Sequence, residues 1–308
     1  MAQLDYDKID PALRPLLESF PALDLNRDNI VRMREVVASR PAQPASVEVE
    51  EAVVFCPSED GDVKLYVYHG STEPNRPALL WIHGGGYIMG SAEDDRARII
   101  AAKLKCTVFS VDYRIAPEHP FPAGPNDCYA ALRWIYANSA SLDINPKNIA
   151  IGGASAGSGM AAGVALMNRD NDNIPLRLQL LLYPMIDNLH ATPSGQIDNH
   201  PIWKLSTSFN AWEMYLDGRP GEAASPYAAA SRATDLTGLP PTYICVGSED
   251  LFRDEDLAYA NRLIAADVPC ELAVFPGVFH GGESFVPKAA VSQRMITSYM
   301  TALGHAFL

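Results

Sequence analysis

The 308-residue sequence predicts an α/β fold with a mostly parallel central sheet. From residue 78 onward, short apolar runs of strand length alternate with longer segments of helical periodicity, as in a doubly wound sheet. Before residue 78, two strand-like runs flank a polar turn at 59–61, which predicts an antiparallel hairpin at the start of the sheet. In such sheets, functional residues collect at the carboxyl ends of the strands. The fold class therefore predicts where a site would lie.

Two amphipathic helices are predicted ahead of the sheet. The first opens at Asp10-Pro11, because proline is favoured in the first turn of a helix, and the second spans 26–39. Each has apolar residues spaced for one face, Leu13, Leu16 and Leu17 in the first and Ile30, Met33 and Val37 in the second. Prolines at 41 and 44 then stop the helical pattern. Short helices in this position indicate a cap over the sheet.

About eight strands and five flanking helices are predicted for the core. The strands cover 47–55, 63–68, 78–82, 107–111, 149–151, 178–183, 242–246 and 271–275, and the helices cover 95–104, 124–138, 156–165, 253–266 and 288–303. The periodicity is lost between 187 and 221, apart from a helical piece at 209–216, which indicates an insertion over the sheet. The predicted organisation is N-terminal cap helices over 1–45, a core over 46–186 and 222–308, and a cap insertion over 187–221.

Charge and composition argue against several classes of partner. With 24 Lys+Arg against 37 Asp+Glu, the net charge is −13, which disfavours nucleic acid and anionic membranes. No apolar run approaches the ~18 residues of a membrane span, and the N-terminus lacks the features of an export signal. Five scattered cysteines favour free thiols and a cytoplasmic setting. The histidines and acids show no metal-ligand spacing, so we expect neither a metal nor a cofactor.

One stretch, 149–163, carries a catalytic motif. A short apolar run ends in glycines, and Gly153-x-Ser155-x-Gly157 then leads into a small-residue run that predicts a helix. Gly-x-Ser-x-Gly at a strand-to-helix corner is typical of a nucleophile elbow, where the serine occupies a strained turn at the helix N-terminus. Small-residue runs are also common where a helix packs closely on a sheet. The motif therefore needs support from other parts of the chain.

A base and an acid follow two later strands. A serine hydroxyl needs a base within hydrogen-bond reach, and His280 lies in a glycine-containing loop after the last predicted strand. Asp250 follows the strand at 242–246 and is placed to orient the imidazole. Four neighbouring acids are rivals for that role: Glu249, Asp254, Glu255 and Asp256. Asp250 is preferred because a helix that points away is predicted from residue 253.

A second glycine motif predicts an oxyanion hole. His83-Gly84-Gly85-Gly86 directly follows the strand at 78–82, and its glycines would let backbone N–H groups approach a developing negative charge. A phosphate-binding loop would require a Gly-Lys-Ser/Thr ending that is absent here. The elbow would add the N–H group of Ala156. We expect His83 to brace the loop rather than to act as a base.

Taken together, these motifs resemble those of the hormone-sensitive-lipase family of α/β-hydrolases. The matching segments are 83–87, 112–114 with 116–118, 153–157, 250–255 and the loop around His280, and the resemblance extends over essentially 45–308. It implies the α/β-hydrolase fold, Ser155 as nucleophile and Asp250 as the acid that orients His280. It also implies that Gly84, Gly85 and Ala156 supply the oxyanion hole and that a helical cap covers the acyl and alcohol pockets.

The sequence departs from this family in its elbow and in its acid motif. The usual elbow is G-D-S-A-G-G or G-T-S-A-G-G, whereas this chain has Ala154 before the serine and Ser158 after the second glycine. Ala154 removes a polar side chain beside the nucleophile but no catalytic group. Phe252 replaces the usual leucine of the acid motif, which is an apolar exchange.

The function expected from the motifs and the resemblance is that of a serine carboxylesterase acting on small-molecule esters with short acyl chains. An amidase or deacetylase using the same triad is an alternative. A non-catalytic small-molecule receptor on the same fold is a third hypothesis, and the presence of His280 argues against it. The last predicted strand, at 271–275, would form a sheet edge able to pair with a second copy of the chain.

Overall fold

Eight strands form one sheet in the computed structural model, which describes residues 3–20, 24–39 and 45–308. The strands are β1 (Glu50–Ser58), β2 (Gly61–His69), β3 (Arg76–Ile82), β4 (Thr107–Asp112), β5 (Ile144–Ala154), β6 (Gln179–Leu182), β7 (Thr242–Gly247) and β8 (Cys270–Phe275). Their spatial order is β1-β2-β4-β3-β5-β6-β7-β8. β1 and β2 form an antiparallel hairpin, β2 is antiparallel to β4, and the remaining pairs are parallel. The predicted fold class is confirmed.

The helices lie against this sheet and ahead of it. They are α1 (Arg14–Ser19), α2 (Ile30–Ala38), α3 (Asp95–Leu104), α4 (Ala123–Ala137), α5 (Ala156–Asp170), α6 (Leu205–Tyr215), α7 (Arg253–Ala265), α8 (Gly282–Phe285) and α9 (Ala290–Ala306). The central strands β3 to β7 consist almost entirely of buried residues, as expected of a parallel sheet covered on both faces. The long crossover helices α5 and α7 contact the strands on either side of them.

The N-terminal helices match their prediction in part. Leu13, Leu17 and Ile30 are buried, as the apolar spacing predicts. The expectation that Val37 lies on the same inward face is wrong, since its side chain is 42% exposed in the last turn of α2. The stop predicted from the prolines at 41 and 44 lies outside the described residues.

The N-terminal segment and the 187–221 segment bond to each other although they are far apart in sequence. The backbone N–H of Leu4 donates to Asn199 Oδ1 at 2.7 Å, and Asn210 Nδ2 donates to the carbonyl of Leu25 at 2.9 Å. Lys204 also pairs with the carboxylate of Asp24. The two segments predicted to form a cap therefore lie side by side.

None of the five cysteines forms a disulfide, and Cys106 and Cys245 are buried, as expected of free thiols in or beside strands. Within the part of the chain that the structure describes, none of the helices combines the length and the apolar character that crossing a membrane requires.

The 187–221 segment contains a buried histidine, His200, that holds a turn together. Its Nδ1 accepts the backbone N–H groups of Ile202 and Trp203 at 3.1 and 3.3 Å, so the ring proton resides on Nε2. Burial lowers the pKa of His200 from its usual 6.5 to about 3. The unfolded chain therefore binds a proton in this pH range that the folded chain does not bind. Folding stability is lost progressively as the pH falls from about 6.5 toward about 3.

We predict that His200→Asn reduces this acid destabilisation. Asparagine Oδ1 can occupy the place of Nδ1 and keep the turn, while the titrating group is removed. The measurement is the free energy of unfolding by urea at several pH values between about 4 and about 7. A smaller decrease toward low pH is expected in the variant. His305→Asn, at an exposed position on α9, is the control and should leave the slope unchanged. Equal slopes in wild type and His200→Asn would contradict the prediction.

Candidate active site

Ser155 occupies the turn between β5 and α5. Its backbone has φ 57° and ψ −122°, a conformation that costs a non-glycine residue on the order of 1–3 kcal/mol. The backbone N–H of Ser155 donates to the carbonyl of Leu182 at 2.9 Å, and its own carbonyl accepts from Met185 at 3.1 Å. These bonds to the end of β6 hold the strained turn in place. The side chain reaches the carboxyl edge of the sheet, where the fold class predicts a site.

The two glycines of the elbow motif allow the turn to pack against the end of β3. A Cβ atom at Gly153 would lie 2.4 Å from the carbonyl oxygen of Ile82, and one at Gly157 would lie 2.0 Å from the same atom. Both distances are far below van der Waals contact. The motif therefore permits a close approach of two backbones, which brings the loop that follows β3 next to the serine.

The structure brings Ser155, His280 and Asp250 together, as the sequence predicts. Ser155 Oγ lies 2.9 Å from His280 Nε2, and His280 Nδ1 lies 2.8 Å from Asp250 Oδ2. Because the carboxylate can only accept, Nδ1 carries the ring proton and Nε2 is free to accept from the serine hydroxyl. The second oxygen of Asp250 accepts the backbone N–H of Phe252 at 2.9 Å, which fixes the buried carboxylate in its orientation.

The rival acids have other partners or surroundings. Glu249 accepts from the Ser248 hydroxyl, and Asp254 accepts the backbone N–H of Ser194 and pairs with Arg253. Glu255 accepts two backbone N–H groups, from residues 186 and 187, and burial raises its pKa well above the usual value. Burial also raises the pKa of Asp256, which is fully enclosed in α7. Asp250 is the acid that the structure places beside His280.

Two aromatic side chains to which the sequence assigned no role at the site enclose His280. The rings of Tyr183 and Phe252 meet the imidazole edge to face, each with a centroid distance of 5.0 Å. Tyr183 directly follows β6 and has a positive φ of 39°. Its position at a strand end is a signal that could have identified it. Phe252, noted in the sequence only as an apolar exchange, forms part of the wall that limits rotation of the imidazole.

The His83-Gly84-Gly85-Gly86 loop lies directly against the nucleophile. A Cβ atom at Gly84 would be 2.7 Å from the carbonyl oxygen of Ala154 and 3.3 Å from Ser155 Cβ. Gly85 has a φ of +120°, where a side chain would strain the backbone and strike the carbonyl of residue 89. Trp203, from the 187–221 segment, packs on Gly86.

His83 is positioned to brace this loop, as expected. Its Nδ1–H donates to the carbonyl of Gly84 at 2.8 Å, and its ring stacks on Tyr113 at a centroid distance of 4.3 Å. The Tyr113 hydroxyl donates in turn to the backbone carbonyl of His83 at 3.0 Å. Burial lowers the pKa of His83, which keeps the ring neutral.

The elbow residue that departs from the family pattern, Ser158, links β5 to β6. Its buried hydroxyl donates to the carbonyl of Gly153 at 2.6 Å and accepts the backbone N–H of Leu182 at 2.8 Å. Ala154, the other departure, is buried and lines the cavity beside Ser155.

A cavity of about 430 Å³ opens over the serine. Its walls include the 83–86 loop, the Ser155 and His280 side chains, and apolar residues of the two predicted cap segments: Phe20, Leu25, Ile202 and Trp203. Phe285, from α8, closes another side and meets the ring of Phe20 edge to face. A mostly apolar cavity with a few convergent polar groups is the usual form of a small-molecule site.

Comparisons with known proteins agree with this geometry. Residues 79–283 match a family model described as alpha/beta hydrolase fold. The chain is 36% identical over 299 residues to carboxylesterase NlhH of Mycobacterium tuberculosis, with 92% of each chain covered. It is 34% identical to esterase LipI of the same organism, covering 89% of this chain and 87% of that protein.

Solved structures show the same likeness. A bacterial heroin esterase superposes with a TM-score of 0.92 at 38% identity, covering 98% of this chain and 99% of the other. Esterase LipW from Mycobacterium marinum superposes with a TM-score of 0.91 at 33% identity, covering 99% and 98%. The chain therefore belongs to the hormone-sensitive-lipase-like family of α/β-hydrolase serine carboxylesterases.

Proposed function

We propose that this protein hydrolyses short-chain acyl esters of small molecules, with Ser155, His280 and Asp250 as its catalytic residues. The observation that carries the proposal is the chain of hydrogen bonds from Ser155 Oγ to His280 Nε2 and from His280 Nδ1 to Asp250, at 2.9 and 2.8 Å. A serine, a base and an orienting acid in this arrangement form the constellation that activates a hydroxyl nucleophile.

In the proposed reaction, Ser155 Oγ attacks the ester carbonyl carbon while His280 Nε2 takes the hydroxyl proton. The carbonyl oxygen becomes an oxyanion, for which Gly84, Gly85 and Ala156 are the proposed backbone donors. The loss of one such donor typically costs ~10²–10³ in rate. His280 returns its proton to the leaving alcohol, and the acyl group remains on the serine. Water, deprotonated by His280, then attacks the acyl-enzyme. As the bond between the acyl carbon and Ser155 Oγ breaks, His280 returns the proton to Ser155 Oγ and the acid is released.

The proposed cap comprises 1–45 and 187–221, and the core comprises 46–186 and 222–308. Support comes from the hydrogen bonds between the two cap segments and from their apolar side chains in the cavity wall. Trp203 packs on Gly86 and lines the same cavity as Ser155, and we take its indole as a limit on the room for the acyl group. This limit supports a preference for short acyl chains.

Ser158 is proposed to position the nucleophile without contacting substrate. Its hydroxyl bridges the end of β5, which Ser155 directly follows, to Leu182 at the end of β6, which also accepts the backbone N–H of Ser155.

A homodimer formed through the free edge of β8 is also proposed. β8 is the last strand of the sheet, and Val274 on it is 41% exposed. An unpaired strand edge is a template for pairing with a second copy.

A cytoplasmic location is proposed from the free thiols, since a reducing compartment preserves them.

We predict that Ser155→Ala lowers kcat for p-nitrophenyl acetate on the order of 10⁶-fold, because no nucleophile remains. Asp250→Asn should lower kcat by about 10³–10⁴-fold, since the amide can hold the imidazole in the wrong tautomer. Glu249→Gln is the matched control and should have little effect. Circular dichroism would verify that each variant is folded. Substantial turnover by folded Ser155→Ala, or a larger loss at Glu249 than at Asp250, would sink the assignment.

We predict that Ser158→Ala decreases the free energy of unfolding by about 1–3 kcal/mol, because a buried carbonyl and a buried N–H lose their partner. It should also decrease kcat severalfold with little change in KM, because the nucleophile shifts relative to its base. Ser292→Ala is the control, since that buried hydroxyl has no hydrogen-bond partner among the described residues. An unchanged kcat in Ser158→Ala would limit the role of the hydroxyl to stability.

We predict that the purified chain sediments as a dimer and that Val274→Lys shifts it toward monomer, because lysine on an edge strand opposes pairing. Val53→Lys is the matched control, since Val53 is 49% exposed on β1 at the opposite edge of the sheet. Analytical ultracentrifugation over a range of concentrations measures both. A monomeric wild type at every concentration would refute the dimer.

A further inference from the structure

The active-site cavity contains a guanidinium group that the proposed hydrolysis does not use. Arg96 lies in the first turn of α3 and lines the same cavity as Ser155. Among the described residues that line this cavity, it is the sole lysine or arginine. Its side chain retains 23% of its exposed area, so the group is held in the wall while part of it faces the open space.

One end of the guanidinium is anchored. Arg96 Nη1 donates to the Tyr183 hydroxyl and lies 3.4 Å from Glu283 Oε1. The Tyr183 hydroxyl donates to the same carboxylate oxygen at 2.6 Å, and Glu283 is buried, with a side chain only 1% exposed. The Tyr183 ring also packs on His280, so a single aromatic ring lies between the guanidinium of Arg96 and the imidazole. These contacts fix the guanidinium relative to the reacting atoms.

The other end of the guanidinium has free donors. Nε and Nη2 donate no hydrogen bond within the described part of the chain, and the nearest carboxylate oxygen to Nε, on Asp94, is 3.7 Å away. That carboxylate is already bonded to the indole N–H of Trp81 and to the backbone N–H of Arg96. Arginine carries five N–H donors; Nη1 is engaged and Nε faces Asp94, so the two N–H groups of Nη2 have no hydrogen-bond partner within the described part of the chain.

The charges around Arg96 decide which kind of acceptor fits. Glu283 and Asp94 together offset the single positive charge of the guanidinium, so a full anion would gain little from it. A neutral oxygen acceptor satisfies the free N–H groups without adding charge. Since much of the surrounding wall is apolar, with Phe20, Ile202 and Phe285 among its residues, a fixed donor there would orient the substrate.

We propose that Arg96 is a specificity-determining residue that selects esters bearing a second, neutral oxygen acceptor, such as an ether, ester or hydroxyl oxygen, away from the scissile bond. This inference rests on the proposed function, because it names the substrate class of the same site. The hydrogen bond from Arg96 adds to binding of the transition state and leaves the chemistry at Ser155 unchanged.

The test uses pairs of esters that differ in one atom. In a series of pentyl acetates, an ether oxygen replaces one CH₂ of the alcohol chain. The members of the series differ in the position of this oxygen, which starts at the third chain atom and lies farther out in each following member. The same replacement is made in the acyl chain of ethyl hexanoates. For each pair, kcat/KM is measured by pH-stat for wild type and for Arg96→Met. For each protein, kcat/KM of the oxygen ester is divided by kcat/KM of its hydrocarbon partner. Comparing this ratio between wild type and Arg96→Met removes the intrinsic difference in reactivity between the two esters.

We predict that wild type favours at least one oxygen ester over its hydrocarbon partner about tenfold more strongly than Arg96→Met does, the effect expected of a hydrogen bond from a charged donor. A purely structural effect of the substitution would lower both members of a pair equally. The double variant Arg96→Met/Glu283→Gln should give the same ratio without leaving a buried carboxylate unpaired, so it provides the result if Arg96→Met does not fold.

Arg98→Met is the matched control. Arg98 lies on the same helix and forms an ion pair with Glu51, at 2.6 Å, outside the cavity. It should leave every ratio unchanged. Equal ratios in wild type and Arg96→Met at all oxygen positions in both series would overturn the inference, while normal hydrolysis of the hydrocarbon esters would leave the proposed function intact. A wild type that hydrolyses neither member of any pair would refute both.

Discussion

The site depends on the contact between the end of β3 and the elbow. The carbonyl oxygen of Ile82 lies where side chains at Gly153 and Gly157 would be, so the two backbones meet with nothing between them. This contact places Gly84 against Ser155 Cβ. The proposed oxyanion loop and the proposed nucleophile follow strands that are neighbours in the sheet, although the two are about 70 residues apart in the chain. A methyl group at either glycine would separate them.

Hydrogen bonding distinguishes Asp250 from the other buried acids. Asp250 accepts from a backbone N–H and from His280, whereas neither oxygen of Asp256 has a hydrogen-bond partner among the described residues. Burial raises the pKa of both Asp256 and Glu255. Among the four acids at positions 250–256, Asp250 is therefore distinguished by its two hydrogen bonds, one of which joins it to the imidazole.

The sequence was sufficient to predict the sheet, its antiparallel start and the residues that converge on Ser155. Strand periodicity can be recognised in short stretches of sequence, and residues that directly follow parallel strands meet at the same edge of the sheet. Side-chain contacts between distant segments could not be predicted in this way. Tyr183 and Glu283 are 100 residues apart, and Arg96 is a further 87 residues from Tyr183. Val37 shows the other limit, since helical spacing predicts which residues share a face but not whether a neighbour covers the last turn.

The elbow differs from the family's usual motif at two positions, and the two residues lie on opposite sides of the turn. Ala154 and Ser158 stand where that motif has a polar side chain before the serine and a glycine after the second glycine. The Ser158 hydroxyl is buried between the carbonyl of Gly153 and the N–H of Leu182, where it ties the end of β5 to the end of β6. Because Ser155 directly follows β5 and donates its own N–H to Leu182, this hydroxyl stiffens the support of the strained turn from inside the protein. Ala154 adds only a methyl group to the wall of the cavity beside Ser155.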